Sequence, residues 1–291
     1  MFKKLSKYSL IPLGLLLSAT CHAEDGRRGY SFFGAGFDFV DYEENTARNI
    51  DGKTVDIETE LELKFTQHSG AYISINTDWG FYLTSSSTLG DSKSDEQWQI
   101  DDTTVRENSV SFSRQRLEGL ATYRLATFEY LLFGVQYSSI DFKRFAAQLT
   151  SKAGSFGVDE TSFSPGTVSE NVWDVSVKIG YEINSIFHHP NPGWRYQLQV
   201  IAGIPLTTNI SNTDVNDGES YSSSFEGLQL RLNGVYGYQF SENVLAAFGL
   251  ELALRRRDVI IHDVISSTGI TEFPENTLLY SFPSFIVLWS F

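Results

Sequence analysis

Residues 54–65 alternate between two kinds of side chain. Val55, Ile57, Leu61, Leu63 and Phe65 occupy one set of positions, with Thr59 among them. Asp56, Glu58, Glu60, Glu62 and Lys64 occupy the other. A helix would scatter both sets around its circumference, whereas an extended strand places them on opposite faces. The period returns in residues 173–183, where Trp173, Val175, Val177, Ile179, Tyr181 and Ile183 alternate with Asp174, Ser176, Lys178, Gly180 and Glu182. It returns again in 194–206, from Trp194 to Leu206. We read strand cores at 30–40, 54–66, 71–84, 114–125, 128–140, 172–183, 194–206, 227–238, 244–255 and 278–291. The connections alternate in length. Those at 67–70, 126–127, 184–193 and 239–243 are short, and those at 41–53, 85–113, 141–171, 207–226 and 256–277 are longer and polar. Asn216-Asp217-Gly218 and Ser267-Thr268-Gly269 suit hairpin tips.

The first 23 residues follow a different rule. Lys3, Lys4 and Lys7 precede an apolar run over 9–19, and a small-residue stretch ends at Ala23. This is the pattern of a secretory signal peptide, with cleavage expected after Ala23. Cys21, the one cysteine in the chain, also sits where a lipid-modified cysteine could stand, but Thr20 before it is a poor fit. We therefore divide the chain into a signal peptide over 1–23 and one domain over 24–291. Losing three lysines and no acid takes the formal charge from −14 to −17. That acidity argues against a nucleic-acid partner, which needs a basic stripe to meet phosphates. Beyond the N-terminus no apolar run is long enough for a membrane helix, but alternation hides the hydrophobicity of membrane strands from any averaged scale.

The chain closes on SFIVLWSF, with Phe285, Val287, Trp289 and Phe291 at alternate places. Here the sequence resembles the Gram-negative outer-membrane β-barrel proteins, in which such a last strand, ending in Phe, is read by the barrel-assembly machinery. An amphipathic terminal strand can be templated at an edge and then close a barrel. The resemblance is one of class and points to no single family. It implies an all-β, antiparallel up-and-down transmembrane barrel of about ten strands in the outer membrane, eight and twelve also fitting. Short turns would face the periplasm and long loops the cell exterior. Outer-membrane lipid and lipopolysaccharide would be its surroundings.

The face opposite the lipid carries charge. The alternation assigns Glu58, Glu60, Glu62, Arg116, Glu118, Asp174, Lys178, Arg195, Arg231, Glu251 and Arg255 to the lumen. A barrel of about ten strands is a little wider than one that side chains just fill, so opposing Glu and Arg rows could bridge it. Buried charges must be paired, which favours a plug; the same residues could instead line a narrow, porin-like path. No cofactor or metal is called for, and a non-enzymatic surface role is the main expectation. A surface hydrolase is the rival. The ten-strand plan with tall outer hairpins resembles the omptin proteases, which need two neighbouring Asp residues and an Asp–His pair. This sequence has no Asp-x-Asp, and we place His68, His188 and His189 at periplasmic turns, leaving His262 as the outer histidine. Lipid A-modifying barrels use a His with Ser and an acid, and no spacing here supports that set.

Overall fold

The computed structural model describes residues 29–50, 53–90, 93–158, 167–213, 220–263, 270–273 and 275–291. The expected signal peptide and both expected hairpin tips lie outside the described residues. The strands are β1 (Tyr30–Ile50), β2 (Lys53–Ser74), β3 (Trp79–Thr88), β4 (Lys93–Ile100), β5 (Thr103–Ala126), β6 (Glu129–Leu149), β7 (Val168–Asn184), β8 (Gly193–Asn212), β9 (Ser220–Ser223), β10 (Leu228–Ser241), β11 (Val244–Arg257), β12 (Ile260–Asp263), β13 (Ile270–Phe273) and β14 (Glu275–Ser290). Ten of them close a ring in the order β1-β2-β3-β5-β6-β7-β8-β10-β11-β14, and β14 returns to β1. Every pairing is antiparallel between sequence neighbours in that ring, which is an up-and-down barrel.

The remaining strands extend the ring outward. β3 pairs the inner parts of β2 and β5, and β4 pairs their outer parts along the same line. Between them Gly90 takes φ +81, a conformation that side chains rarely adopt. β9 pairs the outer end of β8, and β12 and β13 form a separate hairpin beyond β11 and β14. The register climbs as it goes round. Starting at Tyr30 it passes Tyr72, Tyr82, Leu120, Gly134, Lys178, Gly203, Gln229, Arg255 and Leu278, and re-enters β1 at Tyr42, twelve residues further on. For ten strands that stagger corresponds to a tilt of about 40°.

The outer surface carries an apolar belt. Leu198, Val200, Leu230, Leu232, Leu250 and Leu252 face outward and are exposed. Aromatics bound the belt. Trp79, Tyr123, Trp194, Tyr196 and Tyr236 lie near the short turns, with Trp194 stacked on Tyr236 at 4.9 Å. Phe39, Phe65 and Tyr137 lie toward the other end, and beyond them the exposed side chains become Asp41, Glu43 and Lys143. Water would not tolerate this much contiguous apolar surface; hydrocarbon between two aromatic girdles does.

Two expectations are corrected. No turn occurs at 67–70: β2 runs on to Ser74 and the chain turns at 75–78. There the Asn76 side-chain oxygen accepts the backbone N–H groups of Asp78 and Trp79, each at 2.9 Å. With the turn at 75–78, Trp79 and Phe81 lie at the periplasmic end and Phe65 toward the outer end, and Tyr72 is buried inside. Ile57, expected on the lipid face, is buried as well. Between Asp38 and Val40 of β1 the pairing with β2 jumps from Lys64 to Leu61, and this bulge exchanges the two faces of β2 beyond it.

Candidate functional site

The interior of the barrel is built in tiers. At the periplasmic end lies an apolar base of Tyr30, Tyr72, Tyr82, Leu120, Leu132, Ile201, Leu245, Ile286 and Leu288 with their neighbours. Two members of the base come from no strand. Ile186 and Phe187 belong to the turn between β7 and β8, are 0% and 2% exposed, and pack into the same cluster, Phe187 against Tyr30 at 5.5 Å. The turn therefore folds up into the lumen. At its upper edge Glu182 accepts from Tyr82 Oη at 3.0 Å, Asn184 Nδ2 at 2.7 Å and Gln199 Nε2 at 2.7 Å.

An ionic tier follows. Arg116 of β5 reaches across the barrel to Glu251 of β11 with two parallel bonds of 2.7 and 2.8 Å. Arg231 of β10 meets Glu118 of β5 at 2.6 Å. Arg255 of β11 meets Asp174 of β7 at 2.8 Å, and Asp174 also accepts from Ser138 at 2.6 Å and Ser176 at 2.7 Å. Lys178 donates to Gln229, whose own amide donates to Asp174 at 3.1 Å. Arg114 bonds Asp38 at 2.8 Å and lies 3.9 Å over the Tyr280 ring. The bidentate Arg116–Glu251 pair and the multiply bonded Asp174 are arrangements that offset the desolvation of buried charge. The tier leaves cavities of about 60 and 40 Å³. Each holds a few waters at most.

Above lies a second apolar tier, with Val40, Tyr42, Val110, Phe112, Ile140, Phe142 and Leu278. The outermost tier is again ionic. Arg144 donates through Nε to both oxygens of Glu96 at 2.9 Å and through Nη2 to Glu44 at 3.0 Å. Glu96 further accepts from Trp98 Nε1 at 2.8 Å, Thr59 Oγ1 at 3.0 Å and Asn108 Nδ2 at 3.0 Å. Burial pushes the Glu96 carboxyl up, but Arg144 and these bonds outweigh it and hold the group below its ordinary value of 4.5. For Glu44, burial outweighs the pull of Arg144 and, with Glu170 nearby, holds the group above 4.5.

The lumen set read from the sequence is thus distributed unevenly. Arg116, Glu118, Asp174, Lys178, Arg231, Glu251 and Arg255 converge in one tier. Arg195 stands apart at the periplasmic turn. Its guanidinium donates to Gln239 Oε1 at 2.9 Å and to the Asn191 carbonyl at 2.6 Å, and among the described residues it meets no carboxylate. The side chains of Glu58, Glu60 and Glu62 lie outside the described residues; on the backbone, Glu58 pairs with Glu43 and Glu60 with Asp41. His68 is not in a turn. Its ring lies inside, 5.1 Å from Phe282, over Gly34, where a Cβ would fall 1.9 Å from Nε2. Sequence reading missed the outer tier of Glu44, Glu96, Arg144, Glu170 and Arg257, because the bulge and the break at Gly90 hide which residues meet. At the closing seam Phe285 and Val287 face outward on β14, Trp289 is partly covered, and the Phe291 N–H donates to the Gly29 carbonyl at 3.2 Å.

No protein-family model and no curated protein matches this sequence. Solved structures do. The fold is similar to that of the outer membrane protease OmpT from Escherichia coli, with a TM-score of 0.61 at 12% identity over 94% of this chain and 99% of that one. The chain has the fold of the Gram-negative outer-membrane β-barrels. Matches to the translocator domain of the autotransporter NalP from Neisseria meningitidis (TM-score 0.39, 10% identity, 92% and 90% covered) and to OprG from Pseudomonas aeruginosa (0.36, 11%, 93% and 100%) are looser. In this barrel the apolar belt lies on the outer surface and the tiers described above lie inside the ring.

Proposed function

We propose that the protein is a closed barrel, neither a channel nor an enzyme, that serves at the cell surface through its outer hairpins. The observation that carries this reading is the ionic tier, in which Arg116–Glu251, Arg231–Glu118 and Arg255–Asp174 span the lumen between two apolar tiers. A conducting pore needs a continuous wet path, and the apolar base with Ile186 and Phe187 interrupts it. The outer tier supports the non-enzymatic part of the proposal. A carboxylate that activates water needs a free acceptor site, whereas Glu96 takes bonds from Arg144, Trp98, Thr59 and Asn108. The proposal extends to the surroundings. Of Arg255, Arg256 and Arg257, only Arg256 is exposed, at the outer rim, where it can meet lipopolysaccharide phosphates; it also reaches Glu275 at 2.9 Å.

The deciding measurement is conductance of the refolded mature chain in planar bilayers. The expected trace is flat. A large steady conductance would assign the ionic tier to a channel wall and move the protein to the porin-like class. Release of fragments from unstructured peptides by the same preparation would overturn the non-enzymatic part alone.

A further inference from the structure

One side of the lipid-facing belt is not apolar. Gln67 of β2 pairs with Ser87 of β3, Ser87 with Gln115 of β5, and Gln115 with Ser139 of β6. Four neighbouring strands thus present a transverse row of outward polar side chains. A second, shorter row lies beside it, where the Ser69 and Ser85 hydroxyls are 3.1 Å apart. Gln67, Ser69, Ser85 and Ser87 lie within the belt, while Gln115 and Ser139, one step beyond Tyr137, reach its outer edge. Exposed Phe65 and Leu89 continue the apolar surface on the outer side of the first four and exposed Phe81 and Tyr123 on the inner side of the rows. On the far wall of the barrel, β10 and β11 carry Leu230, Leu232, Leu250 and Leu252. The rows line a hollow of about 160 Å³ between Leu117 and Tyr137.

In hydrocarbon an amide without a partner is costly, and membrane chains place such groups where another polar surface reaches them. Among the described residues the Gln67 and Gln115 amides make no hydrogen bond. The row itself carries no charge, so it lacks the cation that a lipid phosphate requires. Each amide and each hydroxyl is both donor and acceptor. A surface of that kind is complementary to itself. Two copies in one membrane with the same orientation are related by a two-fold axis along the membrane normal, which keeps every residue at its own depth. Because the strands are tilted, the two rows cross at the axis, where each residue meets its counterpart at the same depth. We propose that this polar row is the contact through which two copies of the chain pair side by side in the outer membrane.

The test is cysteine cross-linking in intact outer membranes. Gln67→Cys, Ser87→Cys and Gln115→Cys are made singly, with Leu232→Cys on the opposite wall and the unchanged chain as controls. Only variants that reach the membrane and keep heat-modifiable migration are scored. Oxidation is expected to give a species of twice the chain mass from at least one of the three, and none from Leu232→Cys or the unchanged chain. Adding Gln67→Leu and Gln115→Leu to Ser87→Cys should abolish that species while leaving the barrel folded. No cross-link from any of the three would overturn the proposal. So would equal cross-linking at Leu232→Cys, or a product whose mass shows a different protein. Should all three variants fail to fold, light scattering of the unchanged chain in nanodiscs decides, and a single-copy mass overturns the pairing.

Discussion

Arg144 donates to both oxygens of Glu96 and, with its remaining nitrogen, to Glu44. One cation between two acids cannot hold both ionised equally well, and the two carboxyls shift in opposite directions from 4.5. The consequences for stability have opposite signs. Glu44 binds its proton more tightly in the folded chain, so acidification through the range just above 4.5 favours folding. Glu96 binds its proton less tightly when folded, so its contribution is complete above 4.5 and is lost as the pH falls through its lower folded value. Hydrogen exchange in the outer halves of β4 and β6 should therefore show greatest protection in mildly acidic solution. Glu96→Gln should flatten the acid limb of that profile, and Glu44→Gln the other limb. Deeper in the barrel, Glu251→Ala strands the Arg116 guanidinium and should lower unfolding free energy by about 3–5 kcal/mol, less where water reaches the site. Replacing Arg116 and Glu251 together by leucine should cost far less, which urea titration of the three variants would show. The charges themselves were readable in the sequence, because parity alone places Arg116, Glu118, Arg231 and Glu251 inside. Their partners were not. A stagger of twelve residues and a lumen that any two strands can span leave the pairing open until the register is known.

Element boundaries show what local signals do and do not carry. Ser69-Gly70 reads as a turn, yet Gly70 sits mid-strand because Phe32 packs against it; a Cβ there would fall 2.8 Å from the Phe32 ring. A glycine marks close approach as readily as it marks a turn. The real turn at Asn76 carries the side-chain acceptor that the fold uses. Strand count and topology survived that error, since alternation on either side still required two antiparallel strands. The bulge in β2 left no trace in composition and reversed the reading of Ile57. The hairpins at the outer end and the turn at 185–192 make opposite predictions for labelling. In intact cells, cysteines introduced at Asp95, Gln148 and Ser222 should react with an impermeant maleimide, and one at Asn191 should not. Reaction at Asn191 alone would invert the orientation. Within that turn, Phe187→Ala removes a fully buried ring from the base and should cost about 3–5 kcal/mol. Thermal unfolding followed by loss of heat-modifiable migration would register it.

The molecule as a whole depends on one seam. β14 pairs with β1 from Ser290 opposite Tyr30 to Glu275 opposite Asn45, and with β11 on its other side, so every interior tier exists only after this strand is seated. We expect deletion of Phe291, or Trp289→Asp, to leave degraded or periplasmic chain; normal surface levels of both would remove the terminal strand's role in assembly. The stopper has a different history from the seam. Ile186 and Phe187 hang from a periplasmic turn, so they never have to cross the bilayer. Charged outer hairpins do have to cross, which a passage still wet on the inside would allow. A plug tethered on the entry side can be seated after that traffic is over, so sealing can lag behind insertion, and the vessel need not be watertight until it is already in place.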